Sequence, residues 1–448
     1  MAVLYESTNR SAPKVSFREA LIRGQAPDMG LYTPVKTPVL GRGELESFRR
    51  MEYHEIAHRM AMKFLDGELP SSEVARITRE AYDFEVPLEE VCDRLYVMRL
   101  DRGPTASFKD FAARMMARLM QYFLRQEDRE ALILTATSGD TGSAVANAFH
   151  GLDNVRVLVL FPENEVTGRQ RRQMTSLGGN VSTIALDGKF DDCQALVKRA
   201  FSDRDLDGLN LSSANSINFG RLLPQSMYYA YSYSRLYHDF GEEIIFSVPS
   251  GNFGDLMGGI LAGEMGVPVG RFIVATNENN EFPRFMDSGA YEPIRPSKAC
   301  ISNAMNVGHP SNLARLFHFY GGWIDEKGVV REMPDLNRMR RDLWSVSVSD
   351  SDTRAAIKNA YSDYGLLLEP HGAVAWSALQ TYVVESGGVF AVSLETADPA
   401  KFPDEITSLL GIEPALPDSM KGLDDIEEDV VRMPLDYSAL KDYLSSMD

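Results

Sequence analysis

G-P-T-A-S-F-K-D, residues 103–110, sets one lysine at the junction of a short apolar strand and a long amphipathic helix. Upstream, Leu95-Tyr96-Val97-Met98 reads as the strand. Downstream, apolar residues fall at 108, 111, 112, 115, 119 and 123, the spacing of one helix face. Lys109 therefore belongs to the first turn of that helix, beside a Gly-Pro bend. A lysine held there can have its charge suppressed by burial and attack carbonyl carbon, as a Schiff-base lysine does. Read alone, the octapeptide leaves open a solvent-facing lysine at a helix start.

From residue 91 onward the chain alternates strand, turn and helix. Strands are predicted at 95–98, 131–136, 155–160, 181–186, 243–248, 271–276 and 388–394. Such alternation implies parallel sheets covered by helices, an α/β fold, with ligands at the carboxyl ends of the strands. Residues 1–90 lack the alternation and read as helical near 45–65 and 72–81.

The unusual motifs fall just after strands. T-S-G-D-T-G-S-A, 137–144, follows the strand at 131–136 and opens a helix. Its glycines let backbone N–H groups converge on an anion, and Thr137, Ser138 and Thr141 add hydroxyls. P-S-G-N-F-G-D, 249–255, repeats the logic, with Gly251, Asn252, Phe253 and Gly254 as a second run of donors. It is neither a Walker motif nor G-x-G-x-x-G. A poised lysine with two anion cradles is what a pyridoxal phosphate site requires. Thr396 ends the strand at 388–394, where it either faces the same crevice or starts the turn before Asp398-Pro399. N-S-I-N-F-G-R, 215–221, brings Asn215, Asn218 and Arg221. It reads either as a phosphate-binding group or as a helix-start amide cluster with a surface arginine.

Composition narrows the function classes. The 448 residues carry a net charge of −18, with 44% apolar and 25% charged residues. So acidic a chain is a poor ligand for nucleic acid or anionic membranes. No run of 18 apolar residues and no signal-peptide core is present, and Cys92, Cys193 and Cys300 form no C-x-x-C pair. These features point to a reducing cytoplasm. D-D-I-E-E-D, 424–429, reads as a solvated acidic face. His54-Glu55-x-x-His58 matches the zinc-peptidase pattern, with Glu73 or Glu80 as a third ligand, but lies away from every strand-end motif. Helix-surface histidines are the preferred reading, and no metal is expected. His309 and His371 read as loop or helix-start residues.

With these residues in hand, the chain resembles the threonine synthase family of fold-type II pyridoxal phosphate enzymes, in its longer bacterial and fungal variety. The resemblance covers nearly the whole length. It runs from Y-E-S-T-N-R-S-A-P-K-V-S-F-R-E-A-L at 5–21 and G-L-Y-T-P at 30–34, through the motifs above and K-F-D-D-C-Q-A-L at 189–196, to E-T-A-D-P-A-K-F at 395–402. The family's pattern departs at Thr33 and Asp398, to which no role is assigned. The resemblance implies a tryptophan synthase β-like fold with two parallel-sheet domains and an N-terminal domain. The expected divisions are 1–90, a large cofactor domain from 91–130 and 235–412, a small mobile domain at 131–234, and an acidic tail at 413–448.

It also implies that Lys109 carries the cofactor, that Gly251, Asn252, Phe253 and Gly254 with adjacent Asp255 cradle its phosphate, and that Thr396 bonds the pyridine nitrogen. Asp140 is placed against the cofactor's phenolic oxygen, with a proton kept between them. Thr137, Ser138 and Thr141 would hold the substrate carboxylate, with Asn215, Asn218 and Arg221 as further substrate ligands. The implied reaction converts O-phospho-L-homoserine and water to L-threonine and phosphate, in a monomer or dimer. Alternatives are another fold-type II lyase, such as a threonine or serine dehydratase or a phospholyase, and, remotely, the zinc peptidase. A non-catalytic binding homologue is disfavoured by an intact Lys109.

Overall fold

The computed structural model describes residues 2–447. Two sheets dominate. The larger has strand order 343–347, 269–276, 244–249, 391–395, 95–99 and 88–92, parallel throughout except for the last pair. Its side chains alternate between two cores, as the pleat requires. Phe246, Val248, Phe272 and Val274 face helices Phe219–Leu236 and Gly254–Glu264, while Leu95, Val97, Ile273 and Ala275 face helix Pro370–Ser386. Helices on both faces bury the central strands, which explains why Ala391–Glu395 has no exposed residue.

The smaller sheet is fully parallel, in the order 431–433, 181–186, 155–162, 131–136 and 211–212. Helix Phe190–Phe201 covers one face and helix Asp140–Phe149 the other. In the N-terminal segment, strands 5–7 and 32–34 pair antiparallel and helices Tyr53–Leu65 and Ser71–Ala81 pack together. Tyr53 and Tyr228 each lie edge-on to Phe111 at 5.4 Å, tying this segment to helix Lys109–Gln126 and to helix Phe219–Leu236. No described helix is long and apolar enough to cross a membrane.

Three boundaries need correction. A division at residue 90 cuts the hairpin formed by 88–92 and 95–99. Helix Phe219–Leu236, assigned to the small domain, packs instead on helices Gly254–Glu264, Lys109–Gln126 and Tyr53–Leu65. The segment 413–448 is not a bare acidic tail: Val431–Met433 extends the smaller sheet, and Leu440 and Leu444 of helix Tyr437–Ser445 enter its core. Its acids are partly neutralised there, Glu428 by Arg171 at 2.8 Å and Asp424 by Arg172 at 3.5 Å.

Candidate active site

The loop at 103–110 is built around Asp110. Its buried carboxylate accepts from the Thr105 amide at 2.9 Å and the Thr105 hydroxyl at 2.6 Å. A Cβ on Gly103 would stand 2.4 Å from that carboxylate, so only glycine fits. The loop then follows the neighbouring chain: Phe108 N–H donates to the Thr396 carbonyl at 2.9 Å, and Ser107 bridges to Ala397. Strands 95–99 and 391–395 are parallel neighbours in register, so their carboxyl ends deliver Lys109 and Thr396 to one place.

That place is a crevice of about 1270 Å³, lined from both sheets and the N-terminal segment. Burial pushes the Lys109 ammonium below its usual value; Asp140 opposes this, and Lys401 and Arg221 add to it. Lys109 Nζ stands 3.6 Å from Asp140 Oδ2. The other carboxylate oxygen, Oδ1, takes Lys401 Nζ at 2.7 Å and Gln170 Nε2 at 2.9 Å. Burial alone would raise the Asp140 carboxyl, but Lys401, then Lys109, hold it below the carboxylate range. The Asp140 carboxylate is already matched by a lysine that sequence reading did not single out.

Thr396 lines the crevice, and its hydroxyl donates to Glu369 Oε1 at 3.3 Å. Glu369 is fully buried at the start of helix Pro370–Ser386 and accepts the His371 and Gly372 amides. Its Oε2 takes His371 Nδ1 at 2.5 Å, while His371 Nε2 accepts the Ala304 amide at 3.1 Å. The hydrogen of that ring is thus on Nδ1. His371 is a crevice residue, beyond its helix-start reading.

Opposite lies 249–255. Phe253 adopts φ +60° and caps helix Gly254–Glu264, leaving that helix's first N–H groups directed at the crevice. A Cβ on Gly251 would meet Met305 Cα at 2.9 Å and the Ala304 carbonyl at 3.0 Å. Asn252 holds this turn through its carbonyl and side chain, which accept from Asn312 and Ser311. An anionic group fits against these glycines and amides. The Asp255 carboxyl lines the crevice beside these amides, with Tyr228 and Tyr229 donating to its Oδ1 at 2.6 and 2.8 Å and its Oδ2 buried without a partner. Burial raises its carboxyl to about 6.

Thr137, Ser138 and Thr141 line the crevice at the start of helix Asp140–Phe149. Thr137 Oγ1 accepts the Gly139 and Gly142 amides at 2.9 and 2.8 Å, which leaves its hydroxyl hydrogen for a ligand. Arg221 also faces the crevice, buried, with its Nη1 on the Ala214 carbonyl and its Nε without a partner. Burial lowers its pKa to about 10. Asn215 lines the crevice with an unpartnered buried Oδ1. Asn218 does not serve as expected. Its Oδ1 caps helix Phe219–Leu236 at Gly220, and its Nδ2 donates to Leu21 and Ser213 carbonyls, so both ends are used within the fold.

His309 lines the mouth, with Nδ1 2.7 Å from the Tyr291 hydroxyl. Asp398 caps the turn at 399–401 by accepting the Ala400 amide, and Thr33 lies in a strand opposite Glu6. At His54-Glu55-x-x-His58, Glu55 closes a capping box with Glu52 and His58 turns to the Ser71 hydroxyl. Glu73 and Glu80 pair with Arg76. No group of three metal-ligating side chains converges among the described residues.

Comparison with known families accounts for this arrangement. A family described as "Pyridoxal-phosphate dependent enzyme" matches residues 84–389, a span holding Lys109, both anion cradles and His371. The chain is accordingly a pyridoxal phosphate enzyme of fold type II. Families described as "Threonine synthase N terminus" and "Threonine synthase, C-terminal" match residues 4–82 and 372–444. The chain is 39% identical to threonine synthase of Serratia marcescens over 91% of each chain, and 36% identical to that of Escherichia coli over 96% of each. The crystal structure of pyridoxal phosphate-bound threonine synthase from Brucella melitensis superposes with a TM-score of 0.92 at 35% identity, covering 99% of both chains. The chain belongs to the threonine synthase family.

Proposed function

We propose that the crevice converts O-phospho-L-homoserine and water to L-threonine and phosphate. When bound, pyridoxal phosphate supplies an electron sink beside the amino acid's Cα. The chain's own residues supply the rest. Lys109, whose ammonium is disfavoured by burial, holds the cofactor and then moves the proton at Cα. The amides of 251–254 bind the cofactor phosphate, and Thr396, backed by Glu369, orients the ring nitrogen. Thr137, Ser138 and Thr141 bind the substrate carboxylate at a helix start. Arg221 and Asn215 take the substrate phosphate. Closure of the crevice around bound substrate would exclude water other than the one molecule that adds at Cβ.

The observation that carries the phosphate-substrate reading is Arg221. It is a buried guanidinium with no carboxylate partner, close enough to Lys109 to disfavour that ammonium. A dehydratase needs no second phosphate site. Free Cys92, Cys193 and Cys300 support a cytoplasmic location, and the net charge of −18 supports small-molecule partners over nucleic acid.

Incubation of the purified chain with pyridoxal phosphate and O-phospho-L-homoserine tests the reading. Threonine and phosphate should form in equal amounts. Phosphate with 2-oxobutyrate and ammonia in place of threonine would favour the lyase alternative.

A further inference from the structure

Lys401 is fully buried and takes no part in lining the crevice. Its Nζ makes two close contacts, to Asp140 Oδ1 at 2.7 Å and to the Thr105 carbonyl at 2.8 Å. The second binds it to the loop that ends in Lys109. Two ammonium groups thus share the Asp140 carboxylate, Lys401 at 2.7 Å and Lys109 at 3.6 Å, and the nearer one is the lysine that cannot reach a ligand.

This sets a problem in charge. A buried carboxylate with one lysine beside it holds that lysine as an ammonium, because separating them strands a charge at low dielectric. An ammonium cannot attack an aldehyde. With a second lysine in direct contact with Asp140, Lys109 can lose its proton while the carboxylate stays paired. We propose that Lys401 is a positioning residue, the standing counter-ion of Asp140, which frees Lys109 to act as an amine. The inference rests on Lys109 being the cofactor-bearing lysine.

In the step concerned, the Lys109 ammonium releases its proton to solvent. The amine nitrogen then bonds to the aldehyde carbon of pyridoxal phosphate, and the aldehyde oxygen leaves as water. The other charged or titratable groups facing Lys109 are Arg221, Glu369, Asp255 and, through Asp140, His371. Lys401 differs from them in its direct bond to the carboxylate that Lys109 faces.

The test follows the full-length chain stripped of cofactor. Capture of pyridoxal phosphate is stopped with borohydride at a series of pH values, and the adduct at Lys109 is quantified by peptide mass. The pH midpoint of capture reports the Lys109 amine. Lys401→Met should raise the midpoint by about one unit or more, an effect of the size expected when a carboxylate loses its other partner. Asp140→Asn, which leaves Lys401 without its anion, should lower it. The double variant Asp140→Asn/Lys401→Met should return it to near wild type. A role confined to tethering the Thr105 loop gives no such return. If Lys401→Met does not fold, the comparison of Asp140→Asn with the double variant still decides, since the second substitution should raise the midpoint. A midpoint indifferent to Lys401 in both backgrounds overturns the proposal. An adduct on another lysine in the wild type overturns instead the assignment of Lys109.

Discussion

The Thr396 hydroxyl donates to Glu369 Oε1 across 3.3 Å, and the other oxygen of that carboxylate holds His371 Nδ1 at 2.5 Å. His371 in turn accepts the Ala304 amide, and Ala304 and Met305 form the ceiling over Gly251. One buried carboxylate therefore organises both the Thr396 end and the Gly251 end of the site. Glu369→Gln keeps the shape but weakens charge-assisted bonds, each worth about 1.5–3 kcal/mol. We expect kcat to fall about 10–100-fold, with both kcat and cofactor affinity measured. An unchanged kcat would show that the two ends are held independently.

Arg221→Ala should raise KM for O-phospho-L-homoserine by about 10–100-fold, the loss of one charge-assisted contact to phosphate. Cofactor affinity should be unaffected. Steady-state kinetics beside cofactor titration separates the two effects. A weakened cofactor with an unaltered KM would move Arg221 to the other phosphate.

Gly251→Val places a side chain where even a Cβ would stand 2.9 Å from the Met305 backbone. Either the turn shifts or the cradle fills, and both weaken cofactor binding. Equilibrium dialysis should show at least about tenfold weaker retention of pyridoxal phosphate, an effect of about 1.4 kcal/mol. Thermal unfolding of the cofactor-free chain controls for misfolding. Retention equal to wild type would remove Gly251 from the cradle.

Much of this was legible in sequence, and the exceptions have physical causes. The strand at 181–186 matches its expected bounds because a buried parallel strand is a continuous apolar run. Strand 343–347 was missed because L-W-S-V-S lies at a sheet edge and is mostly half-buried. The 88–95 hairpin was missed because Asp93-Arg94, rather than Asn-Gly, takes positive φ at both positions, 40° and 66°. Lys109, Thr137, Gly251 and Thr396 were readable because each sits in a motif after a strand. Lys401 and Glu369 were not, because their partners lie far away in sequence and only the fold joins them. Asn218 misled because an amide at a helix start serves as a cap as readily as a ligand.

Glu281 offers a test by pH. Its buried carboxyl has an oxygen without a partner, and burial raises it to about 8. The unfolded chain loses this proton near the ordinary carboxyl value of 4.5, whereas the folded chain keeps it until about 8. Between these values the folded state binds more protons, so stability falls as pH rises. Glu281→Gln should remove that slope and raise stability at pH 8 by on the order of 1–3 kcal/mol. Denaturant unfolding at about pH 5 and pH 8 checks this. Parallel pH profiles for the two proteins would show that Glu281 is ionised when folded.

The central claim is that Lys109 carries the cofactor and moves the substrate's Cα proton, and Lys109→Ala tests it most directly. The absorbance of lysine-bound pyridoxal phosphate and turnover of O-phospho-L-homoserine are to be measured on the same folded preparation. We expect the absorbance to disappear, borohydride to fix no cofactor to the chain, and turnover to fall about a thousandfold or more. Turnover near wild type, with cofactor still fixed by borohydride to another lysine, would contradict the claim.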